Sequence, residues 1–202
     1  MDDYRDAIAS CCRQLRLSAN LVDNAMNQSG KSHQEYLYNL LREEIRYRKA
    51  TRVAKLVNTA GFPIQHNFAT FRPDKVQFPS GVTVGSLKAL EFYRSGNNLV
   101  MYGGTGTGKT MLSICIGMQA CQNGIPVKFF RTAALINQLS EAQENGNLSS
   151  LHKKLSRADI LILDEFGYVP YNRTGSQLLF DYLSEIHEKK VIILNTNLEF
   201  SR

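Results

Sequence analysis

From residue 98 onward the chain alternates short apolar runs with longer amphipathic stretches. The runs are 98–102 (Asn-Leu-Val-Met-Tyr), 126–131 (Pro-Val-Lys-Phe-Phe-Arg), 159–164 (Asp-Ile-Leu-Ile-Leu-Asp) and 190–195 (Lys-Val-Ile-Ile-Leu-Asn). Near-continuous apolarity over so few residues is the mark of parallel strands covered on both faces. Strands separated by helical segments predict a doubly wound α/β sheet.

The first 60 residues follow the other period. Ile8, Cys11, Cys12 and Leu15 recur at helical spacing, and a second short helix is expected over Ala19–Asn27. Ser29-Gly30-Lys31 interrupts it, and Ser32-His33-Gln34-Glu35 is a capping box. Leu37, Leu40, Leu41, Ile45, Val53, Leu56 and Val57 then trace one apolar face of a long helix that Gly61 and Pro63 end. Residues 62–97 carry Pro63, Pro73, Pro79, Gly81 and Gly85 and are expected to be linker, closed by a helix from Val84 to Arg94. The division expected is a helical N-terminal domain over 1–61, a linker over 62–97 and a core over 98–202.

Chemistry enters between the first core strand and the helix that follows it. Gly103-Gly104-Thr105-Gly106-Thr107-Gly108-Lys109-Thr110 matches the P-loop pattern G-x-x-x-x-G-K-[ST] in full. Glycines allow such a loop to wrap phosphate with its N–H groups inward, and the helix N-terminus adds its positive dipole end. Lys109 is expected to reach the β- and γ-phosphates, and Thr110 to ligate Mg²⁺. Ile160-Leu161-Ile162-Leu163-Asp164-Glu165 is a buried strand ending in two carboxylates. In that position Asp164 serves Mg²⁺, and Glu165 polarises the water that attacks the γ-phosphate. The last strand ends Asn195-Thr196-Asn197. A strand-tip amide beside the P-loop is placed to orient that water or sense the γ-phosphate; Asn197 is the candidate and Asn195 the reserve. No Asn-Lys-x-Asp segment that would read guanine follows, so adenine is the expected base, with Phe68–Phe71 a positional candidate for its wall.

Charge adds one feature. The net charge is +6, and residues 1–72 hold 11 Lys and Arg against 7 Asp and Glu. Arg42, Arg46, Arg48, Lys49, Arg52 and Lys55 fall within 14 residues, opposed only by Glu43 and Glu44. Along a helix Arg42, Arg46 and Lys49 share one flank and Arg48, Arg52 and Lys55 the next, with Leu37, Leu41, Ile45 and Leu56 expected to pack. Such a stripe is either a solvated face with Glu–Arg pairs or a track for the phosphates of duplex DNA. The four cysteines lack C-x-x-C spacing and the histidines are scattered, so packed, reduced thiols are expected rather than a metal cluster. No apolar run reaches the roughly 20 residues of a membrane span, and the acidic start lacks a secretory h-region, so a cytoplasmic protein is expected.

Taken together, these pieces resemble the IstB family, the ATP-binding helpers of insertion-sequence transposases and relatives of the DnaC helicase loaders. The likeness rests on Leu15-Arg16-Leu17, the Glu35–Lys55 helix, Gly103–Thr110 and Asn195-Thr196-Asn197-Leu198-Glu199-Phe200. Its most specific part is Asp164-Glu165-Phe166-Gly167-Tyr168-Val169-Pro170, which is similar to that family's Asp-Glu-x-Gly-Tyr-x-Pro signature. The resemblance implies a P-loop NTPase core of the AAA+ type that uses ATP and Mg²⁺, assembles as a homo-oligomer on duplex DNA, and works with a transposase at target capture. It gives Lys109 and Thr110 the Walker A roles, Asp164 and Glu165 the Walker B roles, and Asn197 the sensor-1 role. The family continues with a fifth core strand, an arginine finger and a sensor-2 arginine; a chain ending at Arg202 is expected to lack them.

Three other functions compete. A loader serving a replicative helicase shares the same motifs. A small-molecule kinase on the same loop would need an arginine-rich lid, yet residues 170–190 offer only Arg173. A plain interaction protein with a degenerate site is opposed by intact Lys109, Thr110, Asp164 and Glu165.

Overall fold

The computed structural model describes residues 2–167 and 173–198. The chain forms two compact units, the first running to Lys55 and the second starting at Leu56.

In the first unit, α1 (Asp2–Gln14) and α2 (Asn20–Asn27) precede the long α3 (His33–Ala60). Cys12, Leu21 and Val22 form a small core with Ile8, Leu17 and Leu40 against it. The capping box forms one residue out of register: the Glu35 N–H donates to Ser32 Oγ, while the Glu35 carboxylate accepts from the N–H of Lys31. Only part of the expected apolar seam packs. Leu37, Leu41 and Ile45 are 53%, 47% and 68% exposed, and Cys11 and Leu15 are exposed as well. A polar clasp fixes the helix face instead. The buried Glu44 carboxylate accepts from the Ser18 N–H and hydroxyl and pairs with Arg48 at 2.6 Å, while Arg48 also donates to the carbonyl of Arg16. Tyr36 adds a hydrogen bond to the Ala25 carbonyl. These bonds turn the Tyr36–Leu40–Glu44 face inward, and the leucine seam one step around the helix stays outside.

The second unit begins inside α3, because Leu56, Val57 and Ala60 pack into the core that the sheet shares. The expected helix over 84–94 is two short ones, α4 (Val84–Lys88) and α5 (Glu91–Arg94). Leu90 separates them in a left-handed conformation, φ +56°, which costs a non-glycine residue roughly 1 kcal/mol but lets both Leu90 and Phe92 be buried.

Four parallel strands follow: β1 (Leu99–Tyr102), β2 (Val127–Arg131), β3 (Ile160–Phe166) and β4 (Val191–Thr196), in spatial order β1-β4-β3-β2. The connection from β1 runs through α6 (Lys109–Gln122) to the far edge at β2. The chain then returns through α7 (Thr132–Glu144), α8 (Leu148–Leu155) and α9 (Arg173–Ile186). Alternate strand residues explain the two layers. Val127, Phe129, Ile160, Ile162 and Ile193 join the α6 side, while Leu161, Leu163 and Ile192 join Leu135, Leu139, Leu179 and Tyr182 from α7 and α9. Helices on both faces make the sheet doubly wound, as the apolar runs predict. Gly117 in α6 has a packing reason, since a Cβ there would lie 2.8 Å from the Phe62 ring. Among the described residues no helix is long and apolar enough to cross a membrane.

Candidate active site

The loop over 103–108 leaves the carboxyl end of β1 and enters α6 at Lys109. Gly106 and Gly108 sit at φ +76° and +93°, conformations that side-chain-bearing residues rarely adopt, so the loop's path requires glycine there. Thr105 lies exposed on the loop, and the Thr107 hydroxyl donates to the Gly104 carbonyl at 2.9 Å. Lys109 is folded back on its own loop. Its ammonium donates to the carbonyls of Gly103 at 2.7 Å and Gly104 at 2.8 Å, with Thr107 Oγ1 at 3.4 Å. A bound phosphate would have to draw it off these carbonyls.

Across the sheet, Thr110 Oγ1 lies 3.0 Å from both carboxylate oxygens of Asp164. Asp164 is buried and held from three sides. Thr132 donates to its backbone carbonyl at 2.7 Å, Asn195 Nδ2 donates to Oδ1 at 2.8 Å, and Thr110 donates from α6. Asn195 also donates to Ser113 Oγ at 2.8 Å, and Ser113 donates to the Thr110 carbonyl at 3.0 Å. Hydroxyl and carboxylate oxygens are hard ligands that suit Mg²⁺, which needs few protein groups when phosphate and water supply the rest. Among the described residues no three His, Cys, Asp or Glu side chains converge as a metal site.

A bulge decides where Glu165 goes. Leu163 pairs with Leu194 but Phe166 pairs with Thr196, so β3 has one residue more than β4 between these pairs. Glu165 takes the extra step at φ +57°, and Thr196 secures the far side by donating to the Phe166 carbonyl at 2.8 Å. In a regular strand Asp164 and Glu165 would point to opposite faces. Here Glu165 Oε2 comes within 3.9 Å of Arg131 Nε, and Arg131 follows Val127 and Phe129 on the α6 side. Both carboxylates therefore serve one side of the sheet. A non-glycine residue with positive φ at such a place marks backbone strain of the kind found at working sites.

The sequence candidates thus converge in part. Residues 103–110, Asp164 and Glu165 meet at the carboxyl ends of the strands, where open α/β sheets bind ligands. Asn197 follows β4 at the same end and is exposed. Asn195 is buried and faces Asp164 rather than the open site. Phe71 does not wall a base: it is buried in the core with Phe68 edge-on at 6.4 Å and the Lys88 ammonium 5.5 Å over the Phe68 ring. Tyr168, Val169, Pro170 and Glu199 to Arg202 lie outside the described residues. Arg131, Ser113 and Thr132 belong to no motif; only the strand order, which sets Arg131 opposite Asp164, reveals the first of them. Cys115 and Cys121 on α6 are buried, and burial pushes both thiols up to about 11, so they are packing groups rather than nucleophiles.

The basic stripe belongs to the first unit. Arg46 is 79% exposed and pairs with Glu43 at 3.4 Å. Arg42 borders a polar pocket with Gln28, Asn39, Glu43 and Arg46. Lys49, Arg52 and Lys55 lie farther along α3 and are exposed. Arg48 differs from the rest, because the Glu44 carboxylate and the Arg16 carbonyl hold its guanidinium.

Comparison with known proteins agrees with this geometry. A family described as "IstB-like ATP binding protein" matches residues 13–202. A protein named as the putative ATP-binding protein of insertion sequence IS21 in Pseudomonas aeruginosa is 31% identical over 186 residues, 89% of this chain and 69% of its own length. One named for insertion sequence IS5376 in Geobacillus stearothermophilus is 30% identical over 84% of this chain and 67% of its own length. Among solved structures, domain III of the Thermotoga maritima replication initiation protein DnaA superposes with TM-score 0.50 at 29% identity, covering 58% of this chain and 54% of that one. The DnaC helicase loader superposes with TM-score 0.50 at 24% identity, covering 67% and 79%. The second unit accordingly has the fold of an AAA+ P-loop NTPase.

Proposed function

The chain belongs to the family of IstB-like ATP-binding proteins, and on that premise we propose that it binds and hydrolyses ATP with Mg²⁺ as a DNA-associated helper of a transposase. The observation that carries this is the contact between Thr110 and Asp164, which joins the phosphate loop to the acidic strand. In this reading the N–H groups of residues 103–108 cradle the phosphates and Lys109 neutralises their charge. Thr110 and Asp164 hold Mg²⁺ together with phosphate oxygens, and the ion supplies charge neutralisation at the transferred phosphoryl group. Glu165 takes the proton of the attacking water, and Asn197 contacts the γ-phosphate or that water. Adenine is the base assigned to the site.

The helper assembles on duplex DNA as a homo-oligomer, and Arg42, Arg46, Lys49, Arg52 and Lys55 run along the phosphates. Its work is target capture with the transposase. The names of the insertion-sequence relatives, alike over 84% and 89% of this chain, support a transposase as partner. The DnaC likeness is one of fold, so a replicative helicase ranks second. The test is ATP hydrolysis and duplex binding measured together. ATP-dependent assembly on DNA that also retains an insertion-sequence transposase supports the proposal; nucleotide binding without any effect on DNA binding overturns the DNA-helper part.

A further inference from the structure

Asn195 is the least expected polar residue of the second unit. It lies in β4 between Leu194 and Thr196, 1% exposed, two residues after the core residue Ile193 on the same face. Both of its amide protons are used. One bond runs to Ser113 Oγ and one to Asp164 Oδ1, each 2.8 Å. Its own Oδ1 has no partner among the described residues. A buried carbonyl left unsatisfied carries the full penalty of losing its water. Turning the amide over would cost more, since its oxygen would then face the carboxylate of Asp164. The orientation is therefore dictated by what Asp164 needs, at the expense of the amide's own acceptor.

The bonds close a ring of four residues from three elements. Thr110 donates to Asp164, Asn195 donates to Asp164 and Ser113, and Ser113 donates to the backbone of Thr110. Of the two side chains that hold the Asp164 carboxylate, only Thr110 belongs to the metal's own ligand set. If Thr110 turns its oxygen toward a cation, Asn195 is the donor that remains. It holds Oδ1 and leaves Oδ2 as the oxygen not claimed by the amide.

We propose that Asn195 is a positioning residue that fixes the Asp164 carboxylate for Mg²⁺, and not a sensor of the γ-phosphate. The assignment rests on the Mg²⁺–nucleotide reading given above. Partners of this kind, one shell out from a metal, typically change metal affinity about 10- to 100-fold when removed. A γ-phosphate sensor needs a free donor aimed at the open site, and both donors of Asn195 are committed inside the protein.

The test is Mg²⁺ titration of fluorescent-ATP binding, without hydrolysis, in wild type, Asn195→Leu and Asn195→Thr. Leu keeps the volume, removes both donors and also removes the orphaned acceptor, so melting should stay within a few degrees of wild type. Its Mg²⁺ midpoint should rise about tenfold, with metal-free nucleotide affinity unchanged. Thr keeps one hydroxyl donor and should recover most of that shift. Should Leu fail to fold, Asn195→Ala and Ser113→Ala, the second of which frees the amide from its other anchor, carry the same measurement, with Asn195→Ala expected to move the midpoint as Leu would and Ser113→Ala less. An unmoved midpoint in a folded Leu variant, or in both Ala variants, overturns the assignment. Equal loss of metal-free affinity overturns it too and makes Asn195 a general packing residue. Wild type whose nucleotide affinity ignores Mg²⁺ overturns the underlying site reading itself, an outcome distinct from any mutant result.

Discussion

Thr110 and Asp164 lie in direct contact, the hydroxyl oxygen 3.0 Å from each carboxylate oxygen, although 54 residues separate them. The contact couples the first turn of α6 to the end of β3, so the loop that faces phosphate and the acid that faces metal form one unit. Changes on either side should therefore be read in nucleotide binding first.

Lys109→Ala should weaken ATP binding roughly 10- to 100-fold, the range that one charge-assisted hydrogen bond of about 1.5–3 kcal/mol represents. Calorimetry or a fluorescent analogue measures it. Melting should be little changed, because the partners Lys109 gives up belong to its own loop, and the Gly104 carbonyl among them is exposed.

Glu165→Gln should keep ATP affinity while turnover falls roughly 10²- to 10⁴-fold, the usual span of a lost general base. Size and strand geometry are preserved, so a parallel loss of binding would mark Glu165 as structural.

Arg131→Gln should act in the opposite direction and weakly. The pair with Glu165 is exposed on both sides, 65% and 52%, and such pairs carry no more than about 1 kcal/mol. Releasing the carboxylate should raise steady-state hydrolysis by about fivefold at most, with the effect shrinking at high salt. A large loss instead would mean that Arg131 meets the nucleotide.

In the first unit, burial raises the Glu44 carboxyl, but the hydrogen bonds from Ser18 and Arg48 outweigh it and hold the group below its ordinary range. A carboxyl depressed in the folded state adds stability that is fully present above its unfolded value, about 4.3, and is lost as pH falls through the lower folded value. Glu44→Gln should be less stable at neutral pH by roughly 2 kcal/mol, with the gap to wild type closing below about pH 4. Acid and thermal unfolding followed by circular dichroism checks both limbs.

For the basic stripe, Arg42, Arg46, Lys49 and Arg52 replaced together by Gln should flatten the slope of log affinity for duplex DNA against log salt, by roughly 0.9 for each phosphate that the variant no longer neutralises. Arg48 is left in place because its removal would unseat Glu44. An unchanged slope would make the stripe a solvated face and move DNA binding to the second unit.

The sheet is legible from consecutive residues alone. Each core strand begins and ends within about two residues of its apolar run, since only a strand covered on both faces needs such unbroken apolarity. Gly103–Thr110 is legible in the same way, because the loop's positive φ angles and its lysine are local requirements met by neighbouring residues. Other features depend on distant partners. The face that α3 turns inward is chosen by Ser18 and Arg48 gripping Glu44, and a periodicity of leucines cannot register that grip. Glu165 reaches the α6 side only through a one-residue mismatch between β3 and β4, a property of two strands and not of either alone. Arg131 and Asn195 become neighbours of the two carboxylates only once the strand order is β1-β4-β3-β2. Local conformation follows from neighbours along the chain, whereas the protonic and ionic partners of a site follow from which strands lie side by side, and burial across the whole sheet decides that.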